Sequence, residues 1–276
     1  MCTYIELFLR FPEFKTRAVT FSYDDGYIED RQLVSVLNRY SIKGTFNINA
    51  GNIQGNARKI PLEEMVTLYQ GHEIAAHSFT HPHLHSLDSG GIAYQIIRDR
   101  EALEEIVAKP VEGFAYPYGL KSDGDRIADC LQNCGIRYAR TTVATHDFAL
   151  PENPLFWNPT CHHADSALFS LAEAFFLPDD LEHPWRITPQ LFYIWGHSFE
   201  FQNNWMLLEQ ICQTVGNNPR VWYATNGEII DYIHAFRALR RSANGQYIYN
   251  PTDTDIYAVA NGKQVILKKA TLTTLK

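Results

Sequence analysis

Short apolar runs alternate with helix-patterned segments along most of this chain, and the residues able to do chemistry gather where the runs end. That alternation constrains the fold more than any other feature. Arg17 to Tyr23 reads as a buried strand. Glu29 to Tyr40 places Leu33, Val34, Leu37 and Tyr40 on one helix face. The pattern then repeats. Strands are expected at Gly44 to Ile48, Glu73 to His77, Gly113 to Tyr118, Arg137 to Thr142, Leu191 to His197 and Val221 to Ala224. Helices are expected at Leu62 to Tyr69, Ser89 to Val107, Asp123 to Cys134, Asp165 to Phe176, Asn204 to Val215 and from Glu228 to about Arg240. The span from Val143 to His163 has no clear period, and Leu155 to Thr160 reads as a strand broken by prolines. Residues 1 to 17 read as an irregular lead-in. Strand–helix alternation implies βαβ units and a parallel sheet. Seven or eight such units, with chemistry at so many strand ends, point to a barrel, because only closure brings those ends around one point.

The pattern changes after Arg241. Gln246 to Tyr249 and Asp255 to Lys269 are strand-like, and Asn261-Gly262 between alternating runs is a hairpin signal. The expected organisation is a barrel over residues 1–242 and a small β appendage over 243–276 packed on it. So short a segment cannot bury much of a core alone.

The 45% hydrophobic and 20% charged composition is that of a globular chain. A net charge of −7 argues against a nucleic-acid partner held by phosphate neutralisation. No apolar run approaches the roughly 20 residues that span a bilayer, so no membrane partner is expected. Residues 1–17 interrupt their apolar positions with Glu6, Arg10, Glu13 and Lys15, unlike a secretory signal. Five cysteines without framework spacing read as reduced structural thiols. Together these give a cytoplasmic expectation. Oligomeric state is not legible.

The chemistry centres on Tyr23-Asp24-Asp25-Gly26. Within a strand, adjacent side chains point to opposite faces. At a strand's end, where the chain turns, both carboxylates can reach one cleft. Two anions so close repel unless a cation sits with them. His77-Ser78-Phe79-Thr80-His81 supplies nitrogen donors, and Asp with two His is a familiar set for a divalent metal with open positions. The neighbouring His72-Glu73-Ile74-Ala75-Ala76-His77 imitates the helical zinc motif but has one residue too many between its histidines. His83 and His85 extend the cluster, and as residue types they are equally at home on a surface.

Thr20-Phe21-Ser22-Tyr23-Asp24-Asp25-Gly26, His77-Ser78-Phe79-Thr80-His81 and Phe114-Ala115-Tyr116-Pro117-Tyr118-Gly119, in this order, resemble the first three motifs of the polysaccharide deacetylases. This is the NodB-homology family, carbohydrate esterase family 4. Ile194-Trp195-Gly196-His197 resembles its late histidine motif. The resemblance implies an α/β fold, a distorted (β/α)7-8 barrel of the NodB-homology type. It implies that Asp25, His77 and His81 hold a divalent metal, usually Zn2+. It makes Asp24 the general base, the Tyr118 backbone N–H an oxyanion donor and His197 the general acid. The implied reaction is removal of N-acetyl or O-acetyl groups from an acetylated carbohydrate by attack of metal-bound water.

The chain departs from the family at Ala115, where an arginine usually pairs with the base. Arg140, at the end of the next predicted strand, is the cation the sequence offers instead; a surface arginine fits the same position. Trp157 is a candidate sugar-facing aromatic, although such a residue is more often core. Two other functions fit the same fold: an amidase on a small cyclic amide, and an inactive carbohydrate-binding protein. Intact metal ligands speak against the first, and an intact base and acid against the second.

Overall fold

The computed structural model describes residues 4–120, 124–178 and 187–275. In chain order its elements are β1 (Leu7–Arg10), β2 (Arg17–Asp24), α1 (Asp30–Arg39), β3 (Gly44–Ile48), α2 (Leu62–Leu68) and β4 (Glu73–Ala76). There follow α3 (Ser89–Val107), β5 (Gly113–Ala115), α4 (Gly124–Asn133), β6 (Tyr138–Arg140), β7 (Cys161–His162), α5 (Leu168–Phe175), β8 (Gln190–Gly196) and α6 (Trp205–Val215). The chain continues through β9 (Val221–Tyr223) and α7 (Asn226–Arg237) to β10 (Arg240–Arg241), β11 (Tyr247–Asn250), β12 (Ile256–Ala260), β13 (Lys263–Leu267) and β14 (Thr271–Thr274).

Seven parallel strands run in the order β6-β5-β4-β3-β2-β8-β7. β9 takes the N-terminal half of the β2 edge, at Arg17 to Val19, which β3 leaves free by pairing only from Phe21 onward. The segment 157–162 joins the two ends of this path. Trp157 donates its N–H to Ala139 O at 3.0 Å and accepts from Thr141 N at 2.9 Å, while Cys161 and His162 pair with β8. The sheet therefore curls into a distorted (β/α) barrel, as the alternation of runs requires.

Strand alternation divides each strand between two environments. Val19, Phe21 and Tyr23 of β2, Phe46 and Ile48 of β3, Phe114 of β5, Ala139 of β6 and Phe192 and Ile194 of β8 belong to the main core, shared with the surrounding helices. The residues between them face the barrel interior, which is unusually polar. Ser22 Oγ accepts from Asn47 Nδ2, Thr20 hydrogen-bonds Asn226 Oδ1, and Glu73 accepts from Thr45 Oγ1 and Gly227 N, all at 2.8–2.9 Å. Asn226 at the start of α7 closes the bottom of the barrel, its amide on Tyr193. Asp24, Arg140 and Trp195 share the parity of these inward residues.

Three expectations need correction. The lead-in is not irregular: Leu7–Arg10 is a strand, paired antiparallel with Tyr257 to Ala260. Leu155 to Thr160 is not a strand. Pro154–Phe156 makes a single 3₁₀ turn, with Pro154 in its first turn, and pairing with β8 begins at Cys161. The strand expected to reach Tyr118 stops at Ala115, since Pro117 has no N–H to give a ladder. The expected helix start at Asp123 lies outside the described residues. Beyond Arg241 the Asn261-Gly262 turn joins β12 and β13, and two three-stranded sheets, β1-β12-β13 and β10-β11-β14, form.

Candidate active site

Asp24, Asp25, His77, His81, Tyr118 and His197 converge at the C-terminal end of the barrel, where with Tyr27, Lys59 and Trp195 they line a cleft of about 720 Å³. Asp24 is the last residue of β2 and faces inward by parity. Its Oδ1 accepts from Asn47 Nδ2 at 2.8 Å and its Oδ2 from Arg140 Nη2 at 2.5 Å. Arg140 is fully buried, lies over the Trp195 ring at 4.3 Å and donates to Thr141 O at 3.0 Å. It is no surface residue: from the β6 position paired with Ala115 it reaches Asp24.

Asp25 follows with φ +79°, a left-handed conformation that an ordinary strand residue avoids. That turn swings its side chain from the outward face into the cleft. Its Oδ1 accepts from Asn49 Nδ2 at 2.5 Å, and its carbonyl from Lys59 Nζ at 2.8 Å. Ser78, His81 and Tyr118 also have positive φ, of 64°, 58° and 59°. Such backbone costs on the order of 1–3 kcal/mol per residue and persists where the surroundings hold it.

His77 Nε2 and His81 Nε2 are 3.1 Å apart, and His81 Nε2 is 3.9 Å from Asp25 Oδ1. The three ligand atoms of Asp25, His77 and His81 all lie within 4.8 Å of one another. The tautomer of His77 follows from its neighbour. Its Nδ1 is 2.8 Å from Ala115 O, and a carbonyl only accepts, so Nδ1 carries the proton and Nε2 turns its lone pair to the cleft. A carbonyl behind a ligating imidazole is the usual support for a metal site. Burial also holds His77 in the neutral form a ligand needs, overcoming the pull of Asp24 and Asp25, and burial with the adjacent His77 lowers His81 to about 4. A neutral N₂ set with one carboxylate oxygen fits a divalent metal of the zinc class.

The remaining groups surround this set. Burial alone would raise Asp24, but Arg140, then His77 and His197, hold it at about 2. His197, just past β8, has Nε2 4.0 Å from a carboxylate oxygen of each of Asp24 and Asp25. Burial pulls its pKa down, yet Glu200 and the two aspartates outweigh that and raise it. Glu200 Oε2 accepts the His197 N–H at 3.0 Å and lies 3.5 Å from its Nδ1. Tyr118 is half exposed; its ring stacks on His83, with centroids 3.9 Å apart. Trp157 is core, set against Tyr138 and Tyr193.

Sequence reasoning missed five residues: Asn47, Asn49, Lys59, Asp99 and Glu200. Asn47 and Asn49 follow the strand-end rule that located Asp24, so a signal existed. Glu200 forms a capping box with His197, an acid three residues after the cap. Asp99, in the middle of α3, accepts the N–H of Ala50 at 2.7 Å and of His77 at 2.8 Å. Neither Asp99 nor Lys59 carries a local signal.

Comparison with known proteins bears on the fold and on the sequence motifs. Residues 12–139 match the sequence model of the polysaccharide deacetylase family. An uncharacterised Bacillus subtilis protein, YlxY, is 27% identical over 104 residues, 37% of this chain and 30% of that protein. Among solved structures, a polysaccharide deacetylase-like protein from Mycobacterium smegmatis superposes with a TM-score of 0.60 at 18% identity, over 85% of this chain and 96% of that one. A family 4 carbohydrate esterase from Streptomyces lividans in complex with acetate gives 0.53 at 16% identity, over 76% and 93%. The structural likeness is one of fold; the sequence match to the polysaccharide deacetylase family covers residues 12–139, just under half of the chain, and takes in Asp24, Asp25, His77, His81 and Tyr118.

Proposed function

We propose that this protein is a metal-dependent hydrolase that removes acetyl groups from an acetylated carbohydrate. The observation that carries the reading is the juxtaposition of a ligand-ready Asp25, His77 and His81 set with a second, arginine-held carboxylate that is no part of it. A divalent metal held by the three would act as a Lewis acid and make bound water a nucleophile near neutral pH. Asp24, ionised at all ordinary pH, accepts the proton of the attacking water, and Arg140 and Asn47 fix the direction in which it does so. The N–H of Tyr118, which has no protein acceptor among the described residues, donates to the oxygen on which charge develops. His197, whose pKa Glu200 and the two aspartates raise, gives its proton to the leaving nitrogen. The C–N bond breaks, and acetate and amine leave. One proton goes to Asp24 and one comes from His197, so the balance is closed by exchange with solvent.

The acetate in the Streptomyces lividans esterase complex is the product expected of such a reaction. The test is acetate release from acetylated chito-oligosaccharides, before chelation, after chelation and after Zn2+ is restored. Release that follows the metal is expected. A chain that takes up Zn2+ and releases no acetate from any acetylated sugar, but opens a cyclic amide, overturns the substrate assignment.

A further inference from the structure

Five residues beyond Trp157, a stretch with no part in the mechanism above places a second set of donors at the same barrel end. His162 ends β7 and His163 follows it. Within a strand they would face apart; at its end both reach one point, as Asp24 and Asp25 do. That point is Glu200 Oε2, 3.2 Å from His162 Nε2 and 3.3 Å from His163 Nε2. Ligands bound at roughly 2.0–2.1 Å to a tetrahedral ion stand about 3.3 Å from each other. Both nitrogens stand at that spacing from the carboxylate oxygen, and the three ligand atoms lie within 4.8 Å of one another, a donor set that suits a zinc-class centre with an open fourth position.

The surroundings favour a ligand at this point. His163 is 2% exposed and its ring lies on Tyr23 and Phe201, with centroids 5.7 and 4.1 Å away, so its position is fixed. Burial and the neighbouring His162 lower it to about 3, which leaves a neutral imidazole. His162 and Glu200 are partly exposed and give an ion access from solvent. Glu200 Oε2 is oversubscribed: besides two imidazoles it meets the His197 N–H at 3.0 Å and His197 Nδ1 at 3.5 Å, more partners than the lone pairs of one oxygen can serve. One rearrangement is required. Ala164 N–H donates to His162 Nδ1 at 3.2 Å, which leaves the His162 proton on Nε2. Ligation moves that proton to Nδ1 and gives up this one solvent-exposed hydrogen bond.

We propose that His162, His163 and Glu200 form a second metal site, for a divalent ion of the zinc class, separate from Asp25, His77 and His81. Its ion competes with His197 for Glu200 Oε2. The experiment is Zn2+ uptake by equilibrium dialysis of the whole chain and of two variants. His162→Gln retains an N–H toward Glu200 but removes the imidazole ligand, and Asp25→Asn weakens the first set only. Two Zn2+ per wild-type chain and one per chain of each variant are expected, with circular dichroism unchanged. Equal uptake by wild type and His162→Gln overturns the proposal. A wild-type chain that binds one Zn2+, lost in His162→Gln and kept in Asp25→Asn, supports the second site and sinks the metal reading of the first. The link to His197 is read separately: Zn2+ beyond the first equivalent should lower turnover in wild type and not in His162→Gln. Equal inhibition of both overturns that link.

Discussion

Two carboxylates adjacent in sequence divide their work because their environments differ. Asp24 is enclosed, with Arg140 on one oxygen and Asn47 on the other; Asp25 is turned out toward the histidines. Asp24→Asn should keep metal and lose about 10²–10⁴-fold in turnover, the range of general-base catalysis, whereas Asp25→Asn should lose metal affinity as well. Equal metal loss in both would show that the division is wrong. Arg140 sharpens the point. Burial raises the Asp24 pKa, and the guanidinium is the main influence bringing it down to about 2. Arg140→Met removes that influence, so Asp24 takes up a proton at higher pH, and a protonated base is inactive. The acidic limb of the pH–rate profile should move upward with little change in metal affinity; an unmoved limb refutes the role. The opposite sign holds for His197, an acid that is lost as pH rises through its raised pKa. Glu200→Gln removes the hydrogen bond and charge that raise it. The basic limb should then move to lower pH, and a profile that stays in place means that Glu200 does not tune the acid.

At the scale of elements, strand ends explain both what the sequence revealed and what it hid. Parity along β6 puts Tyr138 and Arg140 on one side and Ala139 on the other, and Ala139 is in the outer core. Alternation alone therefore directs Arg140 into the barrel, toward Asp24, and a surface arginine could have been set aside from that pattern. The metal set, the late histidine and the barrel were legible for the same reason: apolar runs end at Asp24, His77 and His197. The span around Trp157 was not, because pairing there is by single bridges rather than by a run. Asp99 was not, because its role is long-range. From α3 it bonds the N–H of His77 at the end of β4 and of Ala50 beyond the end of β3. It thereby ties two strand ends to one helix and fixes the ligand backbone. Asp99→Ala leaves two buried N–H groups without partners, at about 1–3 kcal/mol each. Urea unfolding should show that loss, accompanied by weakened metal binding. A variant of full stability would mean that the backbone of His77 needs no such anchor.

At the scale of the whole molecule, the chain's two ends act together. β1 pairs with β12 over four residues, and Tyr232 of α7 joins both, donating to Arg10 O and accepting from Tyr257 N at 2.9 Å each. Phe11, Ile248, Ile256 and Leu267 are wholly buried in one cluster with Ala18 and Leu191 of the barrel strands and Ile229 and Ile233 of α7. Among the described residues, segment 243–276 therefore has no core apart from the barrel, and it supplies part of the apolar cover of α7. A short β unit cannot bury enough apolar surface to stand alone. We predict that the intact chain unfolds in a single thermal transition. A chain ending at Ser242 should melt at lower temperature or aggregate, because α7 and Phe11 would lose their apolar partners. Removal of residues 1–10 should act in the same direction, since β12 would lose a strand partner. Metal binding measured below the melting temperature should survive in both, for the ligands lie at the opposite end of the barrel strands. A truncated chain with an unchanged melting temperature, or an intact chain with two resolved transitions, would show that the appendage is an independent domain after all.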